Sequence, residues 1–188
     1  SIEICEDGRI AHFIGSSSME IPQNTKRVMF TGIQIMEPEI LKRIPSGQFC
    51  GTTEDIFPKM IEEKIPVFGY LHDGYWKDMG NRESYLEVNA DALDKKISLK
   101  GISQNELNSS FILPPVWVGL NCHIADNAKI GPHSVIGPNC KIKSSAIVEN
   151  SILWEGVTIG AGSTIKNSVI AKNRNIGDEK IINGQSII

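Results

Sequence analysis

Val118-Gly119-Leu120-Asn121-Cys122-His123-Ile124-Ala125-Asp126-Asn127-Ala128-Lys129-Ile130 opens a series in which an aliphatic residue returns about every sixth position. The anchors are Val118, Ile124, Ile130, Ile136, Ile142, Ile147, Leu153, Ile159, Ile165, Ile170, Ile176, Ile182 and Ile188. Only the steps 142 to 147 and 165 to 170 are five instead of six. Four residues after most anchors stands a small or β-branched side chain: Cys122, Ala128, Ser134, Cys140, Ala146, Ser151, Val157, Ser163 and Val169. Arg174 and Lys180 occupy that place near the C-terminus, where the pattern decays. A helix repeats every 3.6 residues and a strand every two, so neither accounts for this period; it marks a repeat architecture. Each anchor is expected to enter a narrow prism, to stack on its equivalent one coil away, and to leave room only for small neighbours at the corners. A β-sandwich with accidental spacing would not sustain so long an ungapped series.

The repeat resembles the hexapeptide repeat of the left-handed parallel β-helix, in which three hexads make one triangular coil. Twelve units from Val118 onwards imply four coils. The same arithmetic places Cys122 and Cys140 at one corner of successive coils, about 4.8 Å apart, as two buried reduced thiols. It also stacks Ile124 on Ile142 and Ala128 on Ala146. Trp117 and Trp154 fall beside inward anchors and should point outward, for packing or for a subunit contact. His123 and His133 sit at hexad corners and should face solvent.

The whole chain has 188 residues and a formal charge of −3, enough for one large or two small domains. Its Lys and Arg are scattered, which gives no basic stripe for nucleic acid and no polybasic membrane anchor. No apolar run reaches spanning length, because Phe111–Leu120 is broken by Pro114-Pro115. The four cysteines form no close pair and have no companion His at ligand spacing, against both zinc and a disulfide scaffold. This composition points to a cytoplasmic protein. The chain opens without Met and in mid-hairpin, as expected of a piece of a longer protein.

Upstream of the repeat the pattern is mixed. Ile2–Cys5 and Arg9–Phe13 read as a hairpin turning at Glu6-Asp7-Gly8. Residues 14–27 read as a polar loop, and Val28–Met36 as a buried strand containing Gly32, a sign of close approach by backbone or ligand. Pro38 begins a short helix, Pro38–Ile44. Thr52 or Thr53 can cap a second helix with Ile56, Phe57, Met60 and Ile61 on one face. A hairpin of Val67–His72 and Tyr75–Met79 is expected to turn at Asp73-Gly74. Asn81 should cap a third helix that carries Tyr85, Leu86, Asn89, Ala92 and Leu93 on one side. The expected layout is therefore α+β followed by all β: an α/β portion over 1–97, a linker over 98–114 and a β-helix over 115–188.

Three segments carry a further resemblance. Trp76-Lys77-Asp78-Met79-Gly80-Asn81-Arg82-Glu83-Ser84-Tyr85 resembles the W-x-D-x-G-T-x-x-x-Y motif of sugar-1-phosphate nucleotidyltransferases, particularly the mannose-1-phosphate guanylyltransferase-like members. Phe30-Thr31-Gly32-Ile33 resembles the A-G-I-Y-type strand of these enzymes, and Thr53-Glu54-Asp55-Ile56-Phe57-Pro58 their S-I-E-x-x-x-F-P segment. Their order, with hexapeptide repeats after them, is similar to the C-terminal portion of that family. The resemblance implies a transfer in which a sugar-1-phosphate oxygen attacks the α-phosphorus of a nucleoside triphosphate and pyrophosphate leaves. It implies Mg²⁺ as cofactor, Asp78 as catalytic metal-binding carboxylate, and Gly32 and Thr31 against the sugar. Separately, outward Trp117 and Trp154 beside an exposed terminal coil lead to the expectation of a homo-oligomer assembled through the β-helix.

The departures from the family pattern matter. Its nucleotide-binding G-x-G-T-R-L loop and second metal-binding Asp are absent, so the chain alone is expected to be inactive. Its E-K-P segment should fall near Phe13–Ser18, where this chain has Ile14-Gly15-Ser16-Ser17-Ser18. Its G-T-P reads Gly80-Asn81-Arg82. Two other readings stand beside the enzyme: a non-catalytic assembly or regulatory homologue, and a hexapeptide-repeat acyltransferase using a catalytic His. The uninterrupted repeat leaves the last no obvious loop to cradle an acyl donor.

Overall fold

The computed structural model describes residues 2–13, 16–17, 24–98 and 111–188. The chain forms two compact units, Ser1–Trp76 and Lys77–Ile188. Residues 99–110, the greater part of the expected linker, lie outside the described residues, as do 14–15 and 18–23 of the expected polar loop.

In the first unit the expected hairpin is formed by β1 (Ile2–Cys5) and β2 (Ile10–Phe13), and the sheet runs β3 (Ser16–Ser17), β2, β1, β4 (Thr25–Val28), all antiparallel. Alternation puts Ile2, Ile4, Ala11 and Phe13 on the buried face. A π-helical turn, Thr52–Ile56, runs into a short α-helix, Phe57–Glu62, and brings Ile56, Phe57, Met60 and Ile61 onto that core. Phe13 holds Phe30 and Phe57 edge-to-face, with ring centroids at 5.3 and 5.4 Å.

Several expectations for this unit are corrected. The strand placed at Val28–Met36 lies earlier, at Thr25–Val28; residues 29–37 pair with no described strand, and Ile33 and Ile35 are exposed. The first helix spans only Pro38–Leu41. Neither Thr52 nor Thr53 caps the second helix; Gly51 precedes it and its N–H donates to Asp55 Oδ2 at 2.8 Å. The hairpin of 67–79 is not formed. Val67–Gly69 instead lies along the tip of the first hairpin: Ile10 N–H donates to the Val67 carbonyl at 2.8 Å, and Gly69 N–H to that of Gly8 at 2.9 Å. Asp73-Gly74 signals a turn in the sequence, but Val67–Gly69 finds its partner elsewhere.

The second unit is a parallel β-helix of about four coils, in which three sheets of short parallel strands form the faces of a prism. The anchors line its interior, and Ile130, Ile136, Leu153, Ile159, Ile165 and Ile170 are fully buried. One stretch of the anchor series shifts by a residue. Val148, not Ile147, points inward: it is fully buried and pairs with Ile130 and Ile165, while half-buried Ile147 pairs with Lys129 and Thr164. Ile187, not Ile188, closes the series on Ile170, and Ser168, not Val169, fills the buried corner. The five-residue steps are thus 148 to 153, 165 to 170 and 182 to 187, each leading into the five-stranded sheet. Ile147 and Val148 are both apolar, and in a strand a slip of one residue exchanges the two faces.

The corners explain the polar sequence between anchors. Asn121, Asn139, Asn150, Asn167 and Asn173 all have left-handed φ, between 43° and 60°, a region that Asn tolerates better than most residues. Their amides form ladders from coil to coil, as in Asn150 to Asn167 at 2.8 Å and Asn167 to Asn183 at 3.0 Å. Gly137 is required by space: a Cβ there would lie 2.7 Å from the backbone N of Glu155 in the next coil. The buried serines have partners. Ser151 Oγ donates to the Glu149 carbonyl at 2.7 Å and accepts from Ser168 N–H at 3.1 Å, while Ser168 Oγ accepts from Gln185 N–H at 3.1 Å. A buried hydroxyl without such bonds would be costly.

The two cysteines meet as the spacing requires, with Ile124 paired to Ile142 and His123 to Lys141. Both thiols are free; Cys140 is buried and Cys122 only half-buried. Their Sγ atoms donate to the carbonyls of Trp154 and Gly137, each at 3.1 Å. Burial pushes both thiols up, that of Cys140 to about 11.

Candidate functional site

Thr31 and Gly32 lie in the first unit, immediately after Phe30, whose ring is held by Phe13. Gly32 has φ +83, and a Cβ built on it would meet nothing within 4 Å. Glycine is needed here for the backbone turn, and the space beside it is open. The sequence pattern places this residue within a strand; it marks a bend instead.

Asp78 lies in the second unit, on an extended segment without strand pairing. Its carboxylate is exposed and makes no hydrogen bond or ion pair with any described residue. Gly80 stands beside it, with Asp78 Oδ1 3.5 Å from where a Cβ would be. Among the described residues no cluster of three or more His, Cys, Asp or Glu gathers into a metal cage. What this segment offers is an exposed carboxylate with a glycine two residues on. That fits a hard cation such as Mg²⁺, which is commonly held by one or two carboxylates together with phosphate oxygens.

The segment that carries Asp78 is tied down on both sides. Asn81 caps the helix Arg82–Leu93 as the sequence suggests: its Oδ1 accepts from Ser84 N–H at 2.8 Å, and Ser84 Oγ accepts from Asn81 N–H at 3.4 Å. Lys77, next to Asp78, forms an ion pair with Glu87 one turn further along the helix. Arg82, at the first helical position, donates through Nη1 to the carbonyl of Gly184 in the last coil, and its Nη2 pairs with Glu83. At the other end of the helix Asp94 Oδ1 lies 2.9 Å from His133 Nε2. His133 is therefore half-buried and bonded rather than turned to solvent, while His123 is exposed. Ile152 alternates with inward Leu153 and so faces out of the prism, yet it is buried, as a covered outer face requires. Trp154 is exposed and Trp117 half-buried.

Sequence reading misses these helix-to-coil contacts, because Arg82 and Gly184 are 102 residues apart and no pattern links the two. It also misses a cleft of about 390 Å³ in the first unit, lined by Arg43, Gln48, Phe49, Cys50, Asp55 and Lys59. The only signal for it is that the Thr53–Pro58 segment passes through. Among the described residues no helix is long and apolar enough to cross a membrane.

The family model described as Nucleotidyl transferase matches residues 2–95, and that described as GMPPB C-terminal domain matches residues 112–188. A UTP–glucose-1-phosphate uridylyltransferase from Synechocystis sp. is 30% identical over 116 residues, 62% of this chain and 28% of that protein. A glucose-1-phosphate adenylyltransferase from Clostridium novyi is 31% identical over 133 residues, 66% of this chain and 34% of that protein. A mannose-1-phosphate guanylyltransferase from Mycobacterium tuberculosis is 30% identical over 61 residues, 32% of this chain and 17% of that protein. The chain thus spans about a third or less of these curated relatives.

Proposed function

The chain belongs to the nucleotidyl transferase family, and on that premise we propose that it supplies part of a sugar-1-phosphate nucleotidyltransferase acting on a nucleoside triphosphate, of the mannose-1-phosphate guanylyltransferase-like kind. The observation that carries this reading is Asp78: a carboxylate that bonds to no described residue, near Gly80 and in the segment that leads into a capped helix. In the reaction an oxygen of the sugar-1-phosphate attacks the α-phosphorus, the bond from that phosphorus to the bridging oxygen breaks, and pyrophosphate departs. Catalysis of this kind rests on positioning and charge neutralisation. When bound, Mg²⁺ supplies the charge that offsets the phosphates. Asp78 would serve as one of its carboxylate ligands, on the segment between the Lys77–Glu87 pair and the Asn81 cap. Gly32, with no side chain and open space beside it, lets a sugar approach the backbone, and Thr31 offers a hydroxyl alongside.

Association of subunits through the β-helix belongs to the same proposal. Exposed Trp154 and the apolar Ile181 and Ile188 of the last coil give it a surface. A cytoplasmic setting is proposed with it. The acyltransferase reading gains no support from the coils, whose short strands follow one another from Val116 to Ile187 without a long inserted loop.

The test is an assay of pyrophosphate release with Mg²⁺, offering GTP, UTP and ATP in turn with mannose-1-phosphate or glucose-1-phosphate. The longest natural polypeptide that carries this chain should turn over one pairing, with GTP and mannose-1-phosphate expected to lead, and the 188-residue chain alone should turn over none. A natural polypeptide inactive with every pairing, yet folded and oligomeric, would favour the assembly or regulatory reading.

A further inference from the structure

We propose that Arg82 is a positioning residue for the metal carboxylate, through which the last coil of the β-helix fixes the place of Asp78. The inference rests on the reading of Asp78 as a metal ligand. Its premise is a departure from the family pattern: the position of the motif's proline is here Arg82, the first residue of the helix Arg82–Leu93. A proline there would preset the helical turn and bond to nothing. Arg82 does more, because it is half-buried and its Nη1 donates to the Gly184 carbonyl.

The acceptor is itself well fixed. Gly184 sits at a coil corner with φ +64, and its N–H donates to the Lys166 carbonyl one coil earlier at 3.0 Å. Glu83 holds the other side of the guanidinium through Nη2. Nε of Arg82 is buried without a partner among the described residues, a cost that the fold carries at this position. From Arg82 the mechanical path to Asp78 is short. The Asn81–Ser84 capping box joins the helix start to residue 81, and Lys77 on the far side of Asp78 is paired to Glu87 of the same helix. Asp78 is therefore bracketed between two attachments to one helix, and the start of that helix is attached to the terminal coil. The Asp94–His133 contact anchors the opposite end, so loss of Arg82 frees the start of the helix without detaching the whole of it.

An outer group that orients a metal ligand typically changes metal affinity by about 10–100-fold when removed. Arg82 acts through backbone and helix, so the lower end of that range applies. The experiment uses the natural polypeptide and titrates Mn²⁺ in the presence of GTP, with free Mn²⁺ followed by its paramagnetic resonance signal. Arg82→Ala is expected to weaken Mn²⁺ binding about tenfold and to raise the Mg²⁺ concentration for half-maximal turnover in parallel. The maximal rate at saturating metal and the melting temperature should change little. Arg82→Lys, which keeps a donor and the charge, should restore most of the affinity. Should Arg82→Ala prove unstable, Arg82→Gln read in the same titration decides. Metal affinity unchanged in these variants, whether or not stability or maximal rate falls, would overturn the proposal and leave Arg82 a structural residue. Asp78→Asn serves as the separate control: if it leaves Mn²⁺ binding intact, the assignment of Asp78 fails, independently of Arg82.

Discussion

The two units of this chain use strands under opposite conditions, and only one unit is easy to read. In the β-helix each short strand finds its neighbour seventeen or eighteen residues away, in the coil before or after it. In the first unit an apolar alternating segment must find its partner at irregular distances along the chain. Residues 29–37 and 70–76 carry strand-like apolar residues, yet pair with no described strand, and Ile33, Ile35 and Tyr70 stay 77%, 99% and 92% exposed. A strand is defined by its partner as much as by its own residues. A repeat builds the partner into the sequence.

The sharpest way to break this contrast is at the shifted anchor. Val148→Asp puts a charge into a dry prism and should cost more than about 4 kcal/mol, the range of severe buried-charge lesions. Ile147→Asp, one residue earlier on the outer face, should cost about 1 kcal/mol, the span of strand preferences. Urea unfolding of the two variants checks this, and equal losses would restore the inward reading of Ile147. Next in size is a pair of truncations across the units. Leu153→Ala should lose about 2–5 kcal/mol, whereas Ile35→Ala in this chain should stay within about 0.5 kcal/mol, both read from the same denaturation curves.

The smallest effect concerns pH. Burial raises the Cys140 thiol from its ordinary 9.0 to about 11 in the folded chain, so the folded state holds this proton when the unfolded state has begun to release it. Its contribution to stability is complete below about pH 9 and falls away as the pH rises towards 11. Urea midpoints measured at about pH 8 and about pH 10.5, on either side of the ordinary thiol value, should show this decline, and Cys140→Ala should reduce it, leaving the part that Cys122 contributes. Native-state alkylation at about pH 8 should accordingly leave Cys140 unmodified.

Much of the β-helix is legible because its period is enforced by sterics that recur at every coil: an aliphatic anchor, a small corner and an Asn or Gly in the left-handed region. The register fails where Ile147-Val148 and Ile187-Ile188 offer two apolar neighbours and where Ser168-Val169 offers two small ones, and the corner expectations fail at half-buried Cys122 and at His133, which bonds to Asp94. In the first unit some local signals hold, namely the hairpin around Gly8 and the apolar face of Ile56, Phe57, Met60 and Ile61, as does the Asn81 cap beyond it, while the Thr52 or Thr53 cap does not. Features that depend on distant pairing fail there, as when Val67–Gly69 joins Gly8–Ile10 instead of folding back on Tyr75–Met79. Of the candidate site, the sequence exposes Asp78 and Gly32 because motifs surround them. It cannot expose the bond of Arg82 to Gly184, which joins residues that share no pattern.

Asp78 carries the central claim. Its measurement is the rate of sugar-nucleotide formation at saturating Mg²⁺ by the natural polypeptide and its Asp78→Asn variant, with melting temperature recorded for both. The expected result is a loss of about 10²-fold or more, the scale of removing a charge-positioning group, at an almost unchanged melting temperature, because this carboxylate is exposed and bonds to no described residue. Near-normal turnover by the Asn variant would contradict the assignment of Asp78 as the metal ligand.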